Sequence, residues 1–221
     1  MSRCILGKSL RCERCRLSPR WCICEGLSEI ALPIGVNVLL HHREAYRPTS
    51  TTRIIERVIP TAQVKIFHHL SPLRREDFVS ADQPLWILHP QGEPIDAEPI
   101  PSRLEVLLLD GSWREAARMM HDVRTWGRLV NLPMQGPSRY WLRGQQTAGA
   151  YSTIEALLFL LASLRLDDAH ARLREQFELQ VYAALRARGD KASAEKYLAE
   201  SPSREAFADL IAKLSVPRPR V

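Results

Sequence analysis

A chain of 221 residues can bury one full hydrophobic core with a small appendage, and no run nears the roughly 18 apolar residues that a membrane helix needs. With 31 Lys and Arg against 25 Asp and Glu, the formal charge of +6 favours a polyanionic partner, because each cation set on a phosphate releases counterions. Met1-Ser-Arg-Cys-Ile-Leu-Gly-Lys8 reaches charge at once, unlike the h-region of a secretory signal. A cytoplasmic, reducing location with free thiols is the expectation.

Residues 1–30 read as a cysteine-rich head. Cys12, Cys15, Cys22 and Cys24 form C-x2-C-x6-C-x-C, with Cys4 outside the pattern. Four thiolates so close together can surround one tetrahedral zinc ion, which then organises a segment with little core of its own. An iron–sulfur cluster also takes four thiolates. A redox pair loses support because no strand precedes Cys12. A full thiolate set leaves no open coordination position, so the metal is expected to be structural. Arg3, Lys8, Arg11, Arg14, Arg16 and Arg20 surround the cysteines, with Trp21 among them, a composition suited to touching RNA.

Residues 31–221 read as one α/β domain. Strands are expected at 35–42, 62–67, 84–90, 104–109 and 128–132, with a loop at 91–94 and a helix at 54–58. Apolar runs alternating with helical stretches imply a mostly parallel sheet with helices on both faces. The stretch Pro133–Ala150 carries two prolines, three glycines and two arginines and is expected to be a long loop, a kind that is usually functional. From about residue 152 the pattern turns helical, with helices at 152–164, 167–188, 191–200 and 204–214. Ser152-x-x-Glu155 is a capping box that marks the first of these.

Several strand ends would meet at the C-terminal edge of such a sheet, where open α/β proteins bind ligands. Asp110-Gly-Ser-Trp113 closes an apolar run and opens a helical stretch. Asp110 is an acceptor able to act as a general base; Gly111 permits close approach; Ser112 can cap the helix, and Trp113 adds a flat surface. Arg43, Arg47 and Arg53 share one segment, and Thr49, Ser50, Thr51 and Thr52 lie between the last two. That composition suits carboxylate or phosphate oxygens. GxGxxG, Walker A, HExxH and GxSxG are all absent from the sequence, so dinucleotide, P-loop, zincin and α/β-hydrolase mechanisms lose support.

The cysteine head, His42-Arg-Glu-Ala-Tyr-Arg-Pro-Thr-Ser-Thr-Thr-Arg53, Leu88-His-Pro-Gln-Gly-Glu93, Leu109-Asp-Gly-Ser-Trp-Arg-Glu-Ala116 and Tyr151-Ser-Thr-Ile-Glu-Ala156 together resemble the DTW-domain family, from residue 12 to about 165. Two positions depart from it: Ser112 stands where Thr is usual, and Ser50 where the family carries Asn. The resemblance implies a SPOUT-like sheet with a trefoil knot. It also implies transfer of the 3-amino-3-carboxypropyl group of S-adenosylmethionine to N3 of a tRNA uridine. In that reading Leu88, His89, Pro90, Gln91, Gly92, Glu93, Leu109, Gly111, Ser152, Thr153 and Glu155 hold the cosubstrate. Asp110, Ser112 and Trp113 serve catalysis. Arg43, Arg47 and Arg53, with Thr49, Ser50 and Thr51 of the same segment, take the substrate carboxylate or nearby phosphates, and Arg139 and Arg143 hold the RNA. The rivals are methylation from the same cosubstrate, an rRNA target, and an RNA-binding protein without catalysis.

Overall fold

The computed structural model describes residues 11–47, 49–69, 73–95, 99–143 and 149–216. Arg3, Cys4, Lys8, Gly144 and the Pro217-Arg-Pro-Arg220 tail lie outside them. The chain divides into two compact units, one of Ser28–Leu173 and one that joins the N-terminal residues up to Leu27 with the chain from Arg174 onward. The helices after residue 174 thus group with the cysteine segment.

In the larger unit, strand β1 (Gly35–His41) is buried at every position after Gly35, as befits a strand covered on both faces. Its partners β2 (Gln63–Phe67), β3 (Leu85–Pro94), β4 (Glu105–Asp110) and β5 (Arg128–Asn131) complete a parallel five-stranded sheet of order β2-β1-β4-β3-β5. Side chains alternate across it. One face sends Leu39, Ile87 and Leu107 into a core with Met119, Met120 and Val123 of helix α3 (Trp113–Val123). The opposite face carries Val38, Leu108 and Asp110, toward helices α2 (Thr52–Val58) and α4 (Thr153–Ser163). The chain leaves β1 for β2 on one side and β4 for β5 on the other, so the ends of β1 and β4 flank a topological switch point.

Three elements differ from expectation. Residues 91–94 continue β3 instead of forming a loop, because Glu93 and Pro94 pair with Val130 and Asn131 of β5. Leu88 also pairs with Val130, so residues 89–92 bulge out between two pairings to one residue. The polar segment opens with a short helix, α1 (His42–Ala45). The helix expected at 204–214 breaks at Phe207 into α7 (Ser203–Ala206) and α8 (Ala208–Ser215).

The smaller unit holds the cysteines, most of α5 (Asp167–Ala187), α6 (Lys191–Ala199), α7 and α8. Gly26 is enclosed by Leu179, Phe207 and Leu210, and Ile23 is fully buried. Among the described residues no helix is long and apolar enough to cross a membrane.

Gly92 sits where a Cβ would lie 2.4 Å from the Val130 backbone nitrogen, and backbone cannot yield as a flexible side chain can. Gly92→Ala is expected to destabilise the protein by about 1–3 kcal/mol, measured by urea unfolding.

Candidate functional site

A cavity of about 340 Å³ opens at the carboxyl ends of the strands. Leu88, His89 and Pro90 of β3, Leu108 and Leu109 of β4, and Val130 and Asn131 of β5 form its floor, and Gly111, Ser112 and Trp113 form the start of α3 beside it. Ser152 and Thr153 at the start of α4 close another side, and Met134, Ser138, Tyr140 and Arg143 come from the long loop. The parallel sheet puts these segments together because every strand ends on the same edge. Trp113 is 64% exposed, so its ring is free to stack on a ligand.

Hydrogen bonds set the walls. Ser112 caps α3: its hydroxyl accepts from the Glu115 amide at 3.4 Å, and its own amide and hydroxyl donate to Glu115 Oε2, each at 2.8 Å. Glu115 Oε1 lies 3.2 Å from His41 Nδ1 at the end of β1. Burial would push the Glu115 carboxyl up, but the bonds from Ser112 and the nearby imidazole outweigh it and hold it below its ordinary value. Burial pushes the His41 imidazole below its ordinary value despite Glu115. Glu155 is buried and accepts from Ser152 N and Oγ, each at 2.7 Å, from Ser138 Oγ at 2.9 Å and from Arg139 N at 2.6 Å.

Asp110 is placed differently from a general base at the pocket. It is buried on the face toward α2, accepts from Thr52 Oγ1 and from Ser50 Oγ at 3.4 Å, and does not line the cavity. Glu155 also stays off the lining and serves as a clamp. Gln91, Gly92 and Glu93 lie in the bulge and the strand beyond it, with Glu93 Oε2 2.9 Å from Arg128 Nε. Arg53 Nη2 donates to the Ala45 carbonyl at 2.7 Å, Arg47 pairs with Glu44 at 2.8 Å, and Arg43 is exposed. None of the three lines the cavity. Thr49 lends its carbonyl to the Tyr140 hydroxyl, and Thr51 is the buried N-cap of α2. The guanidinium of Arg139 lies over Trp141 at 5.8 Å.

Sequence reasoning missed Val130, Asn131, Leu132, Met134, Ser138, Tyr140 and Glu44. The two prolines and three glycines marked the loop, but nothing in its composition showed which of its residues face inward.

In the smaller unit, the Sγ atoms of Cys12, Cys15, Cys22 and Cys24 all lie within 4.8 Å of one another, with Cys12–Cys24 at 3.6 Å and Cys15–Cys22 at 3.7 Å. A tetrahedron with metal–sulfur bonds of about 2.3 Å has edges of about 3.8 Å, so the set can hold one metal ion and is compatible with zinc. Backbone hydrogen bonding at Cys15 draws the Cys12 thiol down to about 6. Burial pushes the Cys22 and Cys24 thiols up.

An open parallel α/β sheet with a ligand-sized pocket at its switch-point edge, joined to a four-cysteine unit, defines the class. The DTW domain family matches residues 9–185, and the chain belongs to that family. No solved structure matches it.

The protein is expected to carry one equivalent of zinc per chain by elemental analysis. Cys15→Ser should release most of it, and chelation should lower the melting temperature, because metal binding to such a unit is coupled to its folding.

A second expectation concerns pH. The folded state disfavours protonated His41, so the stability this group lends is present above the ordinary value of about 6.5 and is lost as pH falls toward the depressed folded value. Denaturant unfolding across that range should show a smaller loss for His41→Gln than for the wild type.

Proposed function

We propose that this protein is a tRNA-uridine aminocarboxypropyltransferase. In this reaction N3 of the uridine attacks the aminocarboxypropyl methylene on the sulfonium of S-adenosylmethionine. An N–C bond forms, the C–S bond breaks, methylthioadenosine leaves and the N3 proton passes to solvent water. The observation that carries the reading is the pocket in a DTW-family chain. It lies within the range of about 300–1,000 Å³ typical of small-molecule sites, is mostly apolar, and has a few polar groups in its lining.

The adenosine is held against Leu109, Val130, Leu132 and the face of Trp113, with Thr153 offering a hydroxyl and His89 and Pro90 the backbone of the bulge. Ser112 fixes the angle at which α3 presents Trp113. Asp110 holds Ser50 and Thr52, and with them the start of α2. The four cysteines hold a structural zinc ion. The sheet is read as SPOUT-like, with the trefoil knot that the family resemblance implies.

The RNA is the polyanion that the +6 charge anticipates. In the smaller unit two guanidinium groups lie over the Trp21 ring, Arg186 at 4.6 Å and Arg20 at 5.0 Å from its centroid. In the larger one Tyr46 is 84% exposed beside Arg47. Aromatic rings with arginines close by are of the kind that bind unpaired bases.

The test is incubation of purified protein with unmodified tRNA and carboxyl-labelled S-adenosylmethionine, with nucleosides read by mass spectrometry. Label in a uridine enlarged by the aminocarboxypropyl group is the expected result. A uridine enlarged by methyl alone would assign methyl transfer instead, and no cosubstrate binding would leave an RNA-binding protein. Trp113→Ala should weaken cosubstrate binding by about 1–3 kcal/mol, roughly 5- to 150-fold, in isothermal titration.

A further inference from the structure

Among the described residues that line the pocket there is no lysine and no carboxylate. His89 is pushed by burial toward its neutral form, which leaves Arg143 as the permanent charge in the wall. Its guanidinium is held in place. Nη2 donates to Glu44 Oε2 at 2.6 Å, and the group lies over the Tyr140 ring, 5.7 Å from its centroid. The buried Nε has no hydrogen-bond partner among the described residues, while the side chain as a whole stays 38% exposed.

Glu44, in α1, is 0% exposed, and its other oxygen pairs with Arg47 Nη1 at 2.8 Å. Burial pushes its carboxyl up, with Asp110 acting in the same sense and Arg143 and Arg47 acting against it. A carboxylate taken fully out of water costs several kcal/mol unless its partners stay in place. Glu44 therefore ties Arg143 to α1, and so to the end of β1.

We propose that Arg143 binds the α-carboxylate of the aminocarboxypropyl group, and that Glu44 is the positioning residue that aims it. This rests on the reading of the pocket as an S-adenosylmethionine site. A sulfonium carries three carbons, and the one that meets the nucleophile is decided by how the molecule is tethered. Adenosine is held by flat apolar contacts, which leave the other end of the molecule free to turn. A guanidinium in the pocket wall fixes that end through a charge-assisted bond, strengthened by the apolar surroundings. Binding of adenosine alone requires no such cation. The role falls to Arg143 and not to Arg43, Arg47 or Arg53, none of which lines the pocket.

The test compares S-adenosylmethionine with its decarboxylated form, which keeps the sulfonium and adenosine, by isothermal titration on the full-length, metal-loaded protein. Wild type should prefer the carboxylated compound by roughly tenfold or more. Arg143→Met should bind both alike, with affinity for the decarboxylated form unchanged. Glu44→Gln should shrink the preference in the same one-sided way, a split that a purely structural role would not produce. Melting curves without ligand show whether each variant folds. If Arg143→Met does not, Arg143→Lys, which keeps the charge and loses the fork, should show a reduced preference. A preference kept at the wild-type level in the folded Arg143 variant overturns the proposal, and weakened tRNA affinity alongside it would reassign Arg143 to a phosphate. Wild type that binds neither compound defeats the S-adenosylmethionine reading itself, and this assignment with it.

Discussion

The pocket depends on one buried carboxylate. Glu155 receives the amide and hydroxyl of Ser152, the hydroxyl of Ser138 and the amide of Arg139. Desolvating a carboxylate is costly, and here convergent donors and the positive end of α4 offset that cost. The consequence is geometric. One side chain joins the start of α4 to the far part of the loop after β5, and both carry pocket residues. Ser138, Tyr140 and Arg143 are thereby brought opposite a sheet edge that they follow by only a few residues in sequence.

The other wall rests on similar chemistry. Ser112 and Glu115 satisfy each other's polar groups at the start of α3, and His41 joins that pair to the end of β1. Asp110 does the same toward α2 through Thr52 and Ser50, while Glu44 reaches from α1 to the long loop. Buried acids at the sheet edge thus act chiefly as fasteners, and the surface left for a ligand is apolar with few charges. Such an arrangement fixes the walls of the pocket to the elements behind them.

Much of this was legible in the residues. The unbroken apolar run of β1 marked a strand buried on both faces, and Ser152-x-x-Glu155 marked the start of α4 with Ser152 as its cap. The spacing of the cysteines matched a set of sulfurs that the structure brings within reach of one ion. The extension of β3 to Pro94 was not legible, because a proline and a glycine argue against a strand until a neighbour is known to pair with one edge only. The break at Phe207 was equally hidden, since both halves share a helical pattern. The same alternation that buries Leu108 turns Asp110 to the α2 face, but no periodicity says which face the pocket will occupy.

What the sequence determined by itself is local. Caps, strand periods, metal-ligand spacing and the ordered motifs of the DTW family are set by interactions between residues a few positions apart. What only the tertiary structure decided is which of those residues share a space. Glu44 meets Arg143 across 99 positions and Thr52 meets Asp110 across 58, contacts fixed by strand order and by the return of the long loop. The physical reason is that a side chain's partner at long range is chosen by packing of whole elements, and burial then makes the pairing obligatory.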